Sequence, residues 1–251
     1  MIIRKISSNI QNAHDIVEAM DMAQVSWQNI AQVNWEQFPY CPDVRFRIAY
    51  NEQALLLHYQ VNENFTKAEV AEDNGAIWTD SCVECFINPG GNLLPKAEAE
   101  KSTDAGELAD AGEYYYNIEA NAIGKLLIGC GKDRHNRVRA DKDVRDKVLR
   151  WSSLGREPFG ERPQPQPWEL CLVVPFSCFF RHDIRSLDGA HIKANFYKCG
   201  DGLSVPHYLS WQPIHSEKPD FHRPEFFGEI QCKPDIQSKP DIQSKPDIQC
   251  Q

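Results

Sequence analysis

Residues 44–50, VRFRIAY, and residues 54–61, ALLLHYQV, carry the reading that decides the fold. Val44, Phe46 and Ile48 alternate with Arg45 and Arg47. Successive side chains of a strand point to opposite faces, so this period of two sets an apolar face against an arginine face. Only NEQ separates the two runs, a length that suits a hairpin. The rhythm recurs outward from there. CVECFI (82–87) is a strand closed by NPGG, and YYYNIEA (114–120) with GKLLIGCG (124–131) reads as a second hairpin about Asn121. LRWSSL is a short strand, and WELCLVVPF (168–176) is an apolar one that Pro175 ends. AHIKANFYKC (190–199), HYLSWQPI (207–214) and FFGEIQC (226–232) complete the set. Eight or more short strands, with no regular alternation with long helices, specify an all-β domain. An antiparallel, jelly-roll-like β-sandwich with long loops is the expected architecture, and a single closed barrel is its competitor.

The remaining segments divide the chain into three parts. Residues 1–40 read as an irregular lead-in packed on the sandwich, with a helical turn or two in HDIVEAMDMAQ. Residues 41–232 make the sandwich. Inside it, Asn74-Gly75 marks a turn, 92–113 is an insertion rich in Ala, Glu, Asp and Gly, and REPFGERPQPQP is a Pro-rich loop. Residues 233–251 repeat KPDIQS, KPDIQS, KPDIQC before Gln251. One isoleucine and one proline per six residues cannot bury a core, and three units are too few for a solenoid, so an extended tail is expected.

The 251 residues carry a net charge of -9, which disfavours a nucleic-acid partner because phosphate binding needs concentrated basic charge. No run of 18 apolar residues offers a membrane span. The N-terminus has no signal-peptide core, which as written points to the cytoplasm. Nine cysteines, several inside apolar runs, read mostly as buried thiols in a reducing setting. Phosphate-loop, GxSxG and HExxH motifs are absent. Cys82 and Cys85 form a CxxC, but on a strand they point to opposite faces and no second pair accompanies them, so zinc is not expected. Glu84 and Glu119 are the candidates for a hydrolytic pair, since both stand among the polar residues of strands.

Two tryptophans suggest a different chemistry. Trp78 lies beside Thr79 and Asp80, and Trp211 beside Ser210 and Gln212. Aromatic plates next to carboxylates and amides suit a sugar, whose C–H face stacks on the ring while its hydroxyls pair with the polar groups. Partly buried packing residues would look the same.

DNGAIWTDSCVECFINP, YYYNIEANAIGKLLIGCGKDRHNR, RWSSLG, WELCLVVPFSCF and HYLSWQPIHSEKPDFHRPEFFGEI occur in this order. Together they resemble bacterial proteins related to the family 9 carbohydrate-binding modules, over roughly residues 40 to 230. The resemblance implies a two-sheet β-sandwich with a lateral cleft and non-catalytic binding of a mono- or oligosaccharide in polysaccharide catabolism, alongside a polysaccharide-degrading enzyme. Trp78 and Trp211 would be the two plates, with Glu84 facing the sugar from the adjoining strand. Arg134 and His135 would reach hydroxyls from a cleft-edge loop, and Asn117 and Glu119 would support them or bind directly. Asp220, His222 and Arg223 could approach the cleft, but Phe221, Phe226 and Phe227 closing the core is the favoured role of that segment. The implied role suits a periplasmic or extracellular protein. Related sandwiches can hold structural calcium, for which TKAEVAEDNG offers oxygen ligands, although no acidic calcium loop stands out. Competing readings are a glycan-processing hydrolase on the same sandwich, a haem-binding relative with His58 or His191 as axial ligand, and a scaffold whose cleft is filled by its own side chains.

Overall fold

The computed structural model describes residues 1–8, 10–93 and 114–234. In chain order its strands are β1 (Ile2–Arg4), β2 (Gln28–Asn29), β3 (Gln32–Val33), β4 (Asp43–Tyr50), β5 (Ala54–Glu63), β6 (Thr66–Ala68), β7 (Cys82–Asn88), β8 (Asn92–Leu93) and β9 (Tyr115–Asn121). There follow β10 (Leu126–Gly131), β11 (Val138–Arg139), β12 (Leu149–Ser152), β13 (Phe159–Arg162), β14 (Gln166–Pro175), β15 (His182–Asp183), β16 (His191–Cys199), β17 (Tyr208–Ser210) and β18 (Gly228–Lys233). One sheet runs β12-β14-β5-β4-β2. The larger one runs β1-β18-β16-β7-β9-β10-β11, with β17 also on β16 and β3 on β17. Two separate sheets make this a sandwich and not a closed barrel.

The alternation in 44–61 does what its period requires. β4 and β5 pair antiparallel with Val44 opposite Val61 and Ile48 opposite Leu57. Val44, Phe46, Ile48 and Tyr50 face the other sheet, where they meet Val83, Cys85, Ile87 and Phe196 in the main core. Phe46 and Phe196 stack across it with ring centroids 3.8 Å apart. On the opposite face Arg47 is only 3% exposed. Helix α1 (Asp15–Met22) lies over this side, burying Ile16 and Met20 against Leu56, Cys171 and Val173. Arg47 pairs there with Asp21, and its guanidinium carbon lies 4.6 Å from the Trp27 ring centre.

Three expectations change. The lead-in contributes β1, β2 and β3 to the two sheets, and β1 runs parallel to β18 with Ile2 opposite Gln231, so the sandwich is not wholly antiparallel. Strands of two or three residues are too short to show a period, which is why the sequence hides them. The Pro-rich loop contains β13, paired with β6, and its end already belongs to β14. Of the 92–113 insertion, residues 94–113 lie outside the described residues, as does the repeat tail from 235. The eight described cysteines are all free, seven of them buried and Cys41 exposed.

Candidate functional site

The large sheet has an outer face that the other sheet does not cover. Cys82, Glu84 and Phe86 alternate onto it, while Val83, Cys85 and Ile87 go to the core. Register then sets out a floor. Glu84 stands opposite Glu119 on β9, and Phe86 opposite Asn117. β10 continues both rows with Leu127 and Gly129. Above this floor lies a cavity of about 300 Å³, at the small end of the ~300–1,000 Å³ common for small-molecule sites.

A chain of hydrogen bonds fixes the floor. Arg137 donates from Nε to Asn117 Oδ1 at 2.9 Å, and Asn117 donates from Nδ2 to Glu119 Oε1 at 2.8 Å. Arg137 also donates to the carbonyls of Asp133 and Tyr115 and lies 4.3 Å from the Tyr115 ring centre, so it is a strut more than a free cation. Glu119 Oε2 is buried with no hydrogen-bond partner among the described residues. Burial pushes Glu119 up to about 7 against the opposing pull of Asn117, Arg137 and Arg139. Glu84 lies well above the ordinary carboxylate range, chiefly through burial and then through Glu119 beside it. Both carboxyls of the floor are thus shifted toward the neutral form, which can donate as well as accept.

The walls come from loops. A 3₁₀ turn, Ile77–Thr79, presents Trp78 at the cleft with 36% of its surface exposed. The amide of Asp201 donates to the Trp78 carbonyl at 3.1 Å, anchoring the turn. Asp80 just beyond it accepts from the amides of Glu69 and Val70 and from Asn121 Nδ2. No other ring or cation stacks on the Trp78 indole among the described residues. The strip 219–222 forms another wall. Phe221 stacks on Tyr197 at 4.2 Å with 7° between planes, and His222 sits 4.8 Å from the Phe86 ring. Tyr115 Oη and His222 Nδ1 are hydrogen-bonded at 2.9 Å. Burial, then the charges of Arg137 and Arg134, hold His222 down at about 3. Arg134 reaches Asp220 at 3.4 Å from the opposite rim.

Trp78, Glu84, Asn117, Glu119, Arg134 and His135 therefore line one cleft, whereas Trp211 does not. The Trp211 amide donates to the Phe196 carbonyl, and its indole packs against Phe46 at 6.0 Å and Phe196 at 5.7 Å. It faces inward because, one residue past the Ser210–Tyr197 pair, it stands across from Phe196, a core-facing residue of β16. Arg137, Asp201 and Tyr208 line the cleft without having been singled out in the sequence, and Asp220 and His222, weighed there against a core role for their segment, line it as well, whereas Arg223 does not. Strip 219–222 serves core and cleft together, with Phe221 buried and Asp220 and His222 turned to the cavity.

The other chemistries find less support. Glu84 and Glu119 stand side by side on one floor, not on two sides of a bond to be cleaved. His58 is buried between Arg47 and Glu169 on the other sheet, and His191 is exposed, so neither reaches the cleft. Of the acids offered for calcium in 66–75, Asp73 is paired with Arg150 and Arg145. The grouping of metal-ligand side chains found among the described residues is instead Cys82, Glu84 and Cys199, on the cleft floor.

Comparison with curated proteins gives no match. A crystal structure of a protein from Bacteroides uniformis, whose proposed role is carbohydrate binding, is 39% identical and covers 93% of this chain and 98% of its own, with a TM-score of 0.81. Two structures of a family 9 carbohydrate-binding module from Caldicellulosiruptor kristjanssonii, with glucose and with cellotriose, are 12% identical at TM-scores of 0.50. They cover 96% and 99% of this chain and 98% and 100% of their own, and at that identity they speak to the fold alone. The model of carbohydrate-binding family 9 matches residues 14–94 and 106–232, the greater part of the sandwich described above. The chain belongs to carbohydrate-binding family 9.

Proposed function

We propose that the cleft binds a monosaccharide or the terminal unit of an oligosaccharide without cleaving it, in the service of polysaccharide catabolism. The observation that carries this is the open Trp78 indole beside a floor of hydrogen-bonding groups that includes the unpartnered Glu119 Oε2. A pyranose lies with its C–H face on the indole. Its hydroxyls donate to Glu119 Oε2 and Glu84, and accept from Arg134 and His135 at the rim. Tyr208, Phe221 and His222 supply the second wall in place of Trp211. The cavity volume suits one ring, with the rest of a chain passing out to solvent. Glucose and cellotriose, the ligands of the Caldicellulosiruptor modules, are the first sugars to try.

Calorimetric titration with glucose and cellotriose tests the reading. Trp78→Ala should weaken binding by about 2 kcal/mol or more, roughly 30-fold, as expected for a central aromatic anchor. Trp211→Ala should lower thermal stability and leave the affinity of the folded protein close to wild type. Equal loss of affinity in both variants would return Trp211 to the site. No saturable heat with any of a panel of sugars would overturn the binding reading.

A further inference from the structure

The cleft floor holds two thiols whose placement the sugar reading does not use. Cys82 and Glu84 are two apart on β7 and so share a face. Cys199 stands directly opposite Cys82 on β16. Two residues at i and i+2 of one strand and one residue from its neighbour make a triangle on a rigid sheet. Here the three donor atoms lie within 4.8 Å of one another. Cys199 Sγ is 3.1 Å from Glu84 Oε1, and Cys82 Sγ is 3.8 Å from the same oxygen. Donors sharing one tetrahedral zinc stand roughly 3.5–3.8 Å apart, given Zn–S bonds of about 2.3 Å. The Cys82–Glu84 pair already has that spacing, and the Cys199–Glu84 pair reaches it by widening a few tenths of an ångström.

We propose that Cys82, Glu84 and Cys199 form a site for a thiophilic divalent cation of the zinc class, its fourth coordination position facing the cavity. Two sulfurs and one carboxylate select a borderline-soft ion over calcium or magnesium, which take oxygen ligands. Three protein ligands with one open position is the arrangement of accessible zinc sites, whereas closed structural sites use four. Access exists because Glu84 and Cys199 line the cavity. The three residues are at most 3% exposed, so little water competes for the ion from below. Binding releases the two thiol protons to solvent, together with any proton on Glu84, and the ion takes their place. The CxxC of the sequence is thus split, with Cys82 going to the cleft and Cys85 to the core.

The test uses the full chain, reduced and stripped of metal, titrated anaerobically with Co²⁺. The expected result is one equivalent bound with a thiolate-to-cobalt charge-transfer band and the intense visible bands of a tetrahedral ion, both bleached by Zn²⁺. Cys82→Ser and Cys199→Ser should each abolish the charge-transfer band or weaken binding by ~100-fold or more, beyond the loss typical of an outer-shell partner. Cys41→Ser/Cys250→Ser, which removes thiols outside the cluster, should leave it intact. Should the serine variants fail to fold, Glu84→Gln is decisive, because it should keep thiolate absorption and bind about tenfold or more weakly. No thiolate band in the wild type overturns the site, as does a band unchanged in Cys199→Ser or a Co²⁺ affinity unchanged in Glu84→Gln. The metal site does not rest on the sugar reading, and glucose titration of the metal-free protein tests that one separately.

Discussion

Gly129 is the residue on which the floor turns. A Cβ built at this position would lie 2.6 Å from Asn117 Oδ1, an approach no carbon tolerates. Its backbone is not in the left-handed region, so only the missing side chain matters. Gly129→Ala should push the Asn117 carboxamide away and break the relay from Arg137 to Glu119. A lost hydrogen bond beside a buried acid is worth about 1–2 kcal/mol, so sugar affinity should fall by roughly tenfold. Calorimetry checks this, and an unchanged affinity would show that Asn117 and Glu119 bind no ligand through that relay. At this scale the sequence was informative about type and silent about partnership. Glu84, Asn117 and Glu119 stand out because they are polar residues on apolar strands. Arg137 does not, because nothing in KDRHNRVRA separates the arginine that becomes a strut from those that meet solvent.

At the scale of elements, parity and register explain both what was legible and what was not. The alternation of CVECFI assigns Glu84 to a face, and only pairing with β9 shows that Glu119 lies beside it. β17 is three residues long, too short for a period to say which way Trp211 turns once the strand ends. Strip 219–222 has no regular structure, so neither of the two sequence periods applies to it. Its attachment makes a pH prediction. His222 faces Tyr115 and Phe86, with Arg137, Arg134, Asp133 and His135 nearby. Its folded pKa, about 3, lies below the ordinary 6.5. The stability this preference for neutral imidazole contributes is fully present above pH 6.5 and is lost as pH falls through about 3. His222→Gln keeps an acceptor for Tyr115 and cannot be protonated. Its unfolding free energy relative to wild type should therefore improve on acidification from pH 6.5 to 3, by at most a few kcal/mol after screening at the cleft mouth. Denaturant melts of both proteins at several pH values give the difference directly. Parallel curves would mean that the strip does not hold His222 neutral.

For the whole molecule, the question is what ties the cleft-bearing sheet to the sheet behind it. Most of that contact is apolar, but one polar link crosses the core. Lys198 Nζ from β16 stands 2.8 Å from Glu63 Oε2 on β5, with both side chains 0% exposed. The ammonium also donates to His207 Nε2 at 2.7 Å and to the Cys199 carbonyl at 2.9 Å. Trp168 Nε1 donates to the other Glu63 oxygen at 2.8 Å. Burial and the lysine charge hold His207 down at about 3, so it accepts as a neutral ring, its Nδ1 bonded to the Val205 carbonyl. Removing one member of a buried ion pair strands the other, typically at about 3–5 kcal/mol, whereas replacing both can be nearly neutral. Lys198→Met should therefore lower the melting temperature by roughly 6–20 °C for a domain of this size. Lys198→Met/Glu63→Gln should recover most of that loss, since the glutamine still accepts from Trp168. Lys198 neighbours Cys199, so loosening this link should also spread the metal-capable triangle and weaken Co²⁺ uptake in the single variant. A single variant as stable as wild type would mean that apolar packing alone holds the sheets together. A double variant as unstable as the single would mean that the charge pair adds stability of its own and does more than neutralise a buried acid.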